Sequence, residues 1–211
     1  MTEQDLRETM VRLARSLFER GFSVGTAGNI SARLDDGSLL VTPTNSWLGS
    51  LVAERISHVS PEGKLLSGDP PSKEIFLHRA FYAKRPQAGA VVHLHSTYAT
   101  ALSCLADLDP QDCVPAITPY VVMRVGAVKL LPYFPPGDPR AADLIAGIEE
   151  STRAVLLANH GPVVTGPDLG AAVAAAEELE ETCKLLLLLR GQKVQALSAA
   201  DVAELKRRFP G

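Results

Sequence analysis

Apolar positions recur along the chain with the two periods that distinguish helices from strands. Over residues 3–20 they fall at intervals of three and four, which predicts an amphipathic helix that ends before Gly21. Further helices are predicted over residues 72–84, 97–105, 138–150, 169–190 and 198–209. Short apolar runs predict strands over residues 38–41, 55–59, 126–132, 152–158 and 163–165, and in the segment AVVHLHS. This alternation predicts one α/β domain over residues 1–211, with helices covering a central sheet.

Two helix starts carry capping signals. Ser72 follows two prolines and is predicted to cap the helix over residues 72–84, which places Glu74 in the first helical turn. Ser198 and Asp201 have the spacing of a capping box. The longest helix is rich in alanine and leucine, and the sequence leaves open whether it lies in the core or at a subunit interface.

Composition and charge narrow the classes of function. The chain has 211 residues, enough for one well-packed domain, and a net charge of −3 without a long run of one sign. Nucleic acid and membranes are therefore not expected as partners. Three cysteines without C-x-x-C spacing predict neither a disulfide framework nor a thiolate metal site. The chain begins without a signal-peptide pattern and contains no apolar stretch long enough to span a bilayer, so we expect a cytoplasmic protein.

Three histidines at predicted strand ends indicate a metal site. Side chains alternate along a strand, so His93 and His95 are expected to point the same way, roughly 6–7 Å apart. Zn–N bonds of about 2.0–2.1 Å allow both to reach one ion. His160 would add a third nitrogen and leave a coordination position open, as in catalytic zinc sites. A histidine can instead be a hydrogen-bonded structural residue that binds no metal. This is our interpretation of His58 and His78.

Glu74 and two short segments are candidates for further chemistry. Glu74 is either a charge favoured by the helix dipole, worth about 0.3–1 kcal/mol, or a general acid or base aimed at the metal. The segment Thr26 to Asn29 offers a hydroxyl, an amide and a flexible backbone. Ser72 and Lys73 offer a hydroxyl, an ammonium and free N–H groups at a helix start. Both segments suit an oxyanion, but neither matches a nucleotide-binding fingerprint.

Six segments together resemble the class II aldolase/adducin family. GTAGNIS, TPT, PPSKE, HLHS, TPY and LANHG occur in the family's order and rough spacing, over about residues 5–190. The resemblance implies a central, mainly antiparallel sheet covered by helices, and a homotetramer with active sites between subunits. It also implies one Zn²⁺ per subunit, held by His93, His95 and His160. Glu74 matches the carboxylate that caps the metal at rest and moves off to shuttle a proton.

The same resemblance implies a small phosphorylated sugar or sugar-acid substrate. The positions that match the family's contacts to phosphate or nearby oxygens are Thr26, Asn29, Thr44, Ser72 and Lys73. Tyr120 matches a catalytic tyrosine that sugar-phosphate aldolases contribute from a neighbouring subunit, and an ordinary interface residue is the alternative. Arg124 would suit a substrate carboxylate, with a surface ion pair as its alternative.

Features within the family favour one reaction. The segments TPTNSWLG, TPYVVMR and PYFPPGDP are most similar to the 3-oxo-tetronate 4-phosphate decarboxylases, which form dihydroxyacetone phosphate and CO2 through an enediolate. L-fuculose-phosphate aldolases carry two serines before the glutamate, where this chain has Ser72 and Lys73. The alternatives are a sugar-phosphate aldolase, an epimerase or a dehydratase, and, more remotely, a non-catalytic adducin-like interaction module.

Overall fold

Eight strands form one sheet in the computed structural model of the protein, which describes residues 2–209. The strands are β1 (Asn29–Arg33), β2 (Leu39–Val41), β3 (Ser57–Val59), β4 (Leu65–Ser67), β5 (Ala90–His93), β6 (Val128–Leu131), β7 (Ala154–Leu157) and β8 (Gly161–Gly166). Their spatial order is β4-β3-β2-β1-β5-β8-β7-β6. Among these pairs only β6 and β7 run parallel, so the mainly antiparallel sheet expected from the resemblance is confirmed.

Six helices are described around the sheet. They are α1 (Glu3–Glu19), α2 (Ile75–Lys84), α3 (Thr97–Ser103), α4 (Arg140–Gly147), α5 (Leu169–Leu188) and α6 (Ala199–Arg208). Ser198 and Asp201 form the predicted capping box at the start of α6. Between residues 2 and 209, no helix is both long enough and apolar enough to cross a membrane.

The sheet separates two apolar cores because alternate strand residues face opposite sides. On β5, Ala90 and Val92 join the larger core, which is closed by α1, α3 and α5. Val91, between them, joins the smaller core under α2 and α4. The long helix α5 contributes Ala176 and Leu179 to the larger core, so its inner face is core. Helix α2 thus packs on the face of the sheet toward which Val91 points.

The start of α2 differs from the prediction. The helix begins at Ile75, with Glu74 rather than Ser72 at the N-cap position. Ser72 instead closes a tight turn before the helix: its hydroxyl accepts the Glu74 N–H at 3.2 Å, and its carbonyl accepts the Ile75 N–H at 3.2 Å. The predictions that Ser72 caps the helix and that Glu74 lies in its first turn were therefore wrong.

Strand β1 was not predicted, although it lies near the centre of the sheet. It pairs with β2 on one side and with β5 on the other. Asn29, Ser31 and Arg33 alternate with Ile30 and Ala32, which is a strand period, but the preceding glycines indicated a turn-rich segment. Strand β4 was missed as well, because its residues are exposed at the sheet edge.

Strand β5 is shorter than the AVVHLHS segment implied. Its pairing with β1 ends where His93 faces Asn29, because Gly28 takes a left-handed conformation (φ 80°) and turns β1 away. His95 therefore lies beyond the strand, not on it. The prediction that both histidines belong to one strand was wrong, whereas their common direction is confirmed below.

Candidate active site

Three imidazoles converge at the end of strand β5. Nε2 of His95 lies 3.2 Å from Nε2 of His93 and 3.0 Å from Nε2 of His160. Nitrogens that bind one tetrahedral ion at about 2.0–2.1 Å are about 3.3 Å apart. The observed separations fit a single metal ion bound through three Nε2 atoms.

Two strand connections supply these rings. His93 ends β5 and is fully buried, and His160 lies in the turn between β7 and β8. Nδ1 of His93 lies 2.8 Å from the carbonyl oxygen of Pro162, on the adjacent strand β8. Since a carbonyl only accepts, Nδ1 carries the proton of the neutral ring and leaves the Nε2 lone pair free for a metal.

Burial keeps the three rings in the neutral form that metal binding needs. Desolvation, followed by repulsion from the other two imidazoles, holds the pKa of His93 well below its usual value. Desolvation and the His160 ring lower the pKa of His95, with Glu74 opposing them. Burial also lowers the pKa of His160, again against the Glu74 carboxylate. Protons therefore do not compete with a metal at neutral pH.

Glu74 is the fourth group of the cluster. Its Oε2 lies 3.4 Å from Nε2 of His93, and its Oε1 lies 3.5 Å from Nε2 of His160. The side-chain amide of Asn29 donates to Oε2 at 2.9 Å. One donor atom from each of the four residues lies within 4.8 Å of all the others. Three imidazoles and one carboxylate form a donor set that suits Zn²⁺ and similar divalent ions.

Two glycines let the chain segments of the cluster approach closely. Gly28 has a φ of 80°, and a Cβ there would lie 2.9 Å from the carbonyl oxygen of His93. Gly161 has a φ of 149°, and a Cβ there would collide with the carbonyl oxygen of Leu94. L side chains rarely adopt either conformation. The turn that carries His160 therefore depends on the glycine that follows it.

Replacing Gly161 with alanine is expected to destabilise the protein by more than about 1 kcal/mol, because the backbone conformation and the Leu94 carbonyl both oppose a Cβ. We also expect weaker metal binding, since relief of the collision displaces His160. Urea unfolding and competition with a zinc chelator measure the two effects. Gly147→Ala is the matched control, because a Cβ at this end of α4 would meet nothing within 4 Å among residues 2–209. Wild-type stability and metal affinity in Gly161→Ala would contradict the expectation.

An open cavity adjoins the cluster. Every residue that was predicted to contact phosphate or nearby oxygens lines it: Thr26, Asn29, Thr44, Ser72 and Lys73. Glu74, His95 and His160 line the same cavity, so the metal-binding groups and the oxyanion-binding groups share one space. Asn29 differs from the others because both ends of its amide are already engaged, by Glu74 and by His78.

Tyr120 and Arg124 lie elsewhere in the subunit. Arg124 lies in a π-helical turn over Val121–Val125, and Tyr120 is the residue before that turn. Neither residue lines the cavity. The Tyr120 side chain is 53% exposed, and the Arg124 guanidinium carbon lies 5.4 Å from the centre of its ring. Within one subunit, the structure therefore does not bring these two residues to the site.

The two histidines interpreted as structural are hydrogen-bonded. Nε2 of His58 lies 2.9 Å from the Ser38 hydroxyl, far along the sheet from the cluster. His78 is fully buried, and its Nε2 lies 2.5 Å from Oδ1 of Asn29, which places it directly behind Glu74. Sequence reasoning missed this connection, although His78 lies one helical turn after Glu74.

Comparison with known proteins identifies the family. Residues 8–187 match the family described as Class II Aldolase and Adducin N-terminal domain. The chain belongs to the class II aldolase and adducin family. A 3-oxo-tetronate 4-phosphate decarboxylase from Pectobacterium atrosepticum is 54% identical over 204 residues, covering 97% of this chain and 94% of the relative.

Two further members of the class II aldolase and adducin family show the range of the similarity. The crystal structure of YgbL from Klebsiella pneumoniae superposes with a TM-score of 0.95, at 54% identity, covering 97% of this chain and 99% of that chain. An L-fuculose phosphate aldolase from Methanococcus maripaludis is 34% identical over 190 residues, covering 90% of this chain and 99% of the relative. The family resemblance inferred from the sequence is confirmed.

Proposed function

We propose that the protein is a metal-dependent carbon–carbon lyase that decarboxylates 3-oxo-tetronate 4-phosphate to dihydroxyacetone phosphate and CO2. The convergence of three imidazoles and Glu74 beside a cavity lined by oxyanion-binding groups carries this proposal. A relative named 3-oxo-tetronate 4-phosphate decarboxylase is 54% identical to this chain over 97% of its length, which supports the choice of substrate.

The proposed metal is one Zn²⁺ per subunit, held by His93, His95 and His160. When bound, it supplies Lewis acidity toward a substrate ketone. Thr26, Thr44, Ser72 and Lys73 are proposed to hold the phosphate at the other end of the cavity, with hydroxyl donors and one ammonium. Two fixed ends of this kind would align the bond that breaks.

Glu74 is the proposed proton donor. When the bond between C1 and C2 breaks, CO2 leaves and its bonding electrons remain on the substrate as an enediolate across C2 and C3. A proton from the Glu74 carboxyl to C2 completes dihydroxyacetone phosphate, and water then restores that proton. Asn29 keeps the carboxyl group next to the cavity through its 2.9 Å hydrogen bond. A positioned acid of this type contributes about 10²–10⁴-fold to a rate.

Aldol cleavage of a sugar phosphate is the second candidate, favoured by the 34% identical aldolase. Departure of an aldehyde requires removal of a hydroxyl proton, which calls for a base besides Glu74. The cavity of one described subunit is lined by a single carboxylate, that of Glu74. Loss of CO2 needs no such base, whereas aldol cleavage would need one such as Tyr120 of a neighbouring subunit. The higher identity to the decarboxylase, 54% against 34%, favours the first candidate.

We further propose a cytoplasmic homotetramer, in which Tyr120 and Arg124 enter the site of a neighbouring subunit. Their exposure on the surface, away from their own subunit's cavity, supports this placement. In that position Arg124 would bind the substrate carboxylate. The non-catalytic alternative is not favoured, since the chain retains all four groups of the cluster.

The test is an assay of zinc-loaded protein with 3-oxo-tetronate 4-phosphate that follows CO2 and dihydroxyacetone phosphate together. We expect equal amounts of both products, and we expect both to disappear on chelation and return with added zinc. Cleavage of a ketose 1-phosphate to an aldehyde, with no CO2 from the acid, would replace the decarboxylase by the aldolase. No activity and no bound metal would favour an interaction module.

A further inference from the structure

A row of polar side chains lies behind Glu74, between helix α2 and strand β1. Glu74 lies at the N-cap position of α2, and His78 and Tyr82 follow it at intervals of four within the helix. Asn29 and Ser31 lie two residues apart along the strand. Four helical residues rise about 6 Å and two strand residues about 6.6–6.8 Å, so the two rows stay in step. The polar groups of helix and strand therefore meet one another in sequence.

Four hydrogen bonds connect the row end to end. Asn29 Nδ2 donates to Glu74 Oε2 at 2.9 Å, and Asn29 Oδ1 lies 2.5 Å from His78 Nε2. His78 Nδ1 lies 2.7 Å from the Ser31 hydroxyl. The Ser31 hydroxyl lies 2.8 Å from the hydroxyl of Tyr82. Ser31 and His78 are fully buried, so no exchange with water relaxes these contacts.

The donors and acceptors fit one direction along the whole chain of bonds. Asn29 presents its NH₂ to the Glu74 carboxylate, so its carbonyl oxygen must accept from His78. Burial lowers the pKa of His78 to about 3, so the ring is neutral and its one proton lies on Nε2. Nδ1 then accepts from Ser31, and Ser31 accepts from Tyr82. Each donation points toward Glu74.

This direction fixes the Asn29 amide. A flipped amide would turn its oxygen toward the Glu74 carboxylate and its NH₂ toward the N–H of His78, which places like groups against each other at both ends. The N–H of His78 therefore excludes the flipped rotamer. The donor that remains toward Glu74 holds the carboxylate beside His93 and His160.

We propose that His78 is a positioning residue of the reaction: by locking the Asn29 amide it holds the Glu74 carboxyl in the orientation for proton transfer, and Ser31 supports the ring through its other nitrogen. The proposal rests on the proposed function in so far as Glu74 transfers the proton. The apolar core beside it is formed by other residues of α2, among them Leu77 and Phe81.

The test compares two substitutions of His78 in zinc-loaded protein. His78→Leu fills the space without a donor, whereas the amide nitrogen of His78→Gln takes the place of Nε2 and still donates to Asn29. Removal of a group that orients another functional residue typically lowers activity by about 10–100-fold. We expect that loss in kcat for His78→Leu, with little change in KM or zinc content, and recovery of most of it in His78→Gln.

Ser31→Ala has a matched control on the same sheet. Ser38 is also buried and contacts a histidine, His58, but that pair has no link to Glu74. We expect both alanine variants to lower Tm by similar amounts and only Ser31→Ala to lower kcat. Equal kcat in the two variants, or equal kcat in His78→Leu and His78→Gln, would overturn the proposal.

A readout without substrate separates this proposal from the proposed function. Hydrogen exchange of the Asn29 side-chain amide, followed by NMR, is expected to be slow in the wild type and in His78→Gln and fast in His78→Leu. If the wild type releases no CO2 but shows this pattern, the proposed function fails and the positioning role stands. Unchanged exchange in His78→Leu would overturn the positioning role whatever the substrate is.

Discussion

Replacing Glu74 with glutamine is expected to lower kcat for decarboxylation by about 10²–10⁴-fold while the protein keeps its metal. The amide has nearly the same shape as the carboxyl group, but its N–H protons are not acidic enough to be transferred to C2. Three imidazole nitrogens, 3.0 and 3.2 Å apart, remain to bind the ion. Steady-state kinetics and metal analysis after dialysis measure the two quantities.

Glu62→Gln provides the control for Glu74→Gln. Glu62 is an exposed loop carboxylate that accepts a hydrogen bond from Ser60, so its removal is expected to leave both kcat and zinc content unchanged. Normal turnover in Glu74→Gln would show that another group supplies the proton. Loss of zinc from Glu74→Gln would show that the carboxylate is needed to hold the ion.

Replacing His95 with alanine is expected to weaken zinc binding by more than about 100-fold, which exceeds the usual effect of changing a group that only supports a ligand. Activity is expected to fall because the metal is lost: only two imidazole nitrogens and one carboxylate would remain to bind it. His95 suits this test better than His93, which is fully buried and whose removal would also break the 2.8 Å hydrogen bond to the Pro162 carbonyl and leave an internal void. Chelator competition measures the zinc affinity.

The control for His95→Ala is His58→Ala. His58 is hydrogen-bonded to Ser38 and lies outside the cluster, so this variant is expected to keep its zinc affinity. Recovery of His95→Ala activity at high zinc would support the metal as the missing component. Wild-type zinc affinity in His95→Ala would refute the assignment of His95 as a ligand.

Local patterns along the chain were sufficient for most of the elements and for the residues of the metal-binding cluster. The helix period predicted α1 and α5, and apolar runs predicted β5 and β7, because near neighbours in sequence determine these periodicities. His93, His95, His160 and Glu74 could be singled out because metal-binding residue types stand at strand and helix ends. The order of six short motifs indicated the family.

Packing between distant segments decided the remainder. Strand β1 is held in place by its pairing with β2 and β5, and its short alternating run after several glycines was not enough to identify it from sequence. The turn at Ser72, which places Glu74 before α2 rather than within it, depends on hydrogen bonds that no local propensity encodes.

His78 shows most clearly the difference between what local sequence predicts and what the packing of distant segments decides. By sequence, it is one buried histidine on the inner face of a helix, and a hydrogen-bonded structural role was the natural interpretation. Its link to Glu74 passes through Asn29, 49 positions away in the chain, and exists only because α2 packs across β1. The sequence by itself singled out the four groups that the structure brings together. The tertiary structure decided which groups hold them, because hydrogen bonds between a helix and a strand depend on how their side-chain rows meet.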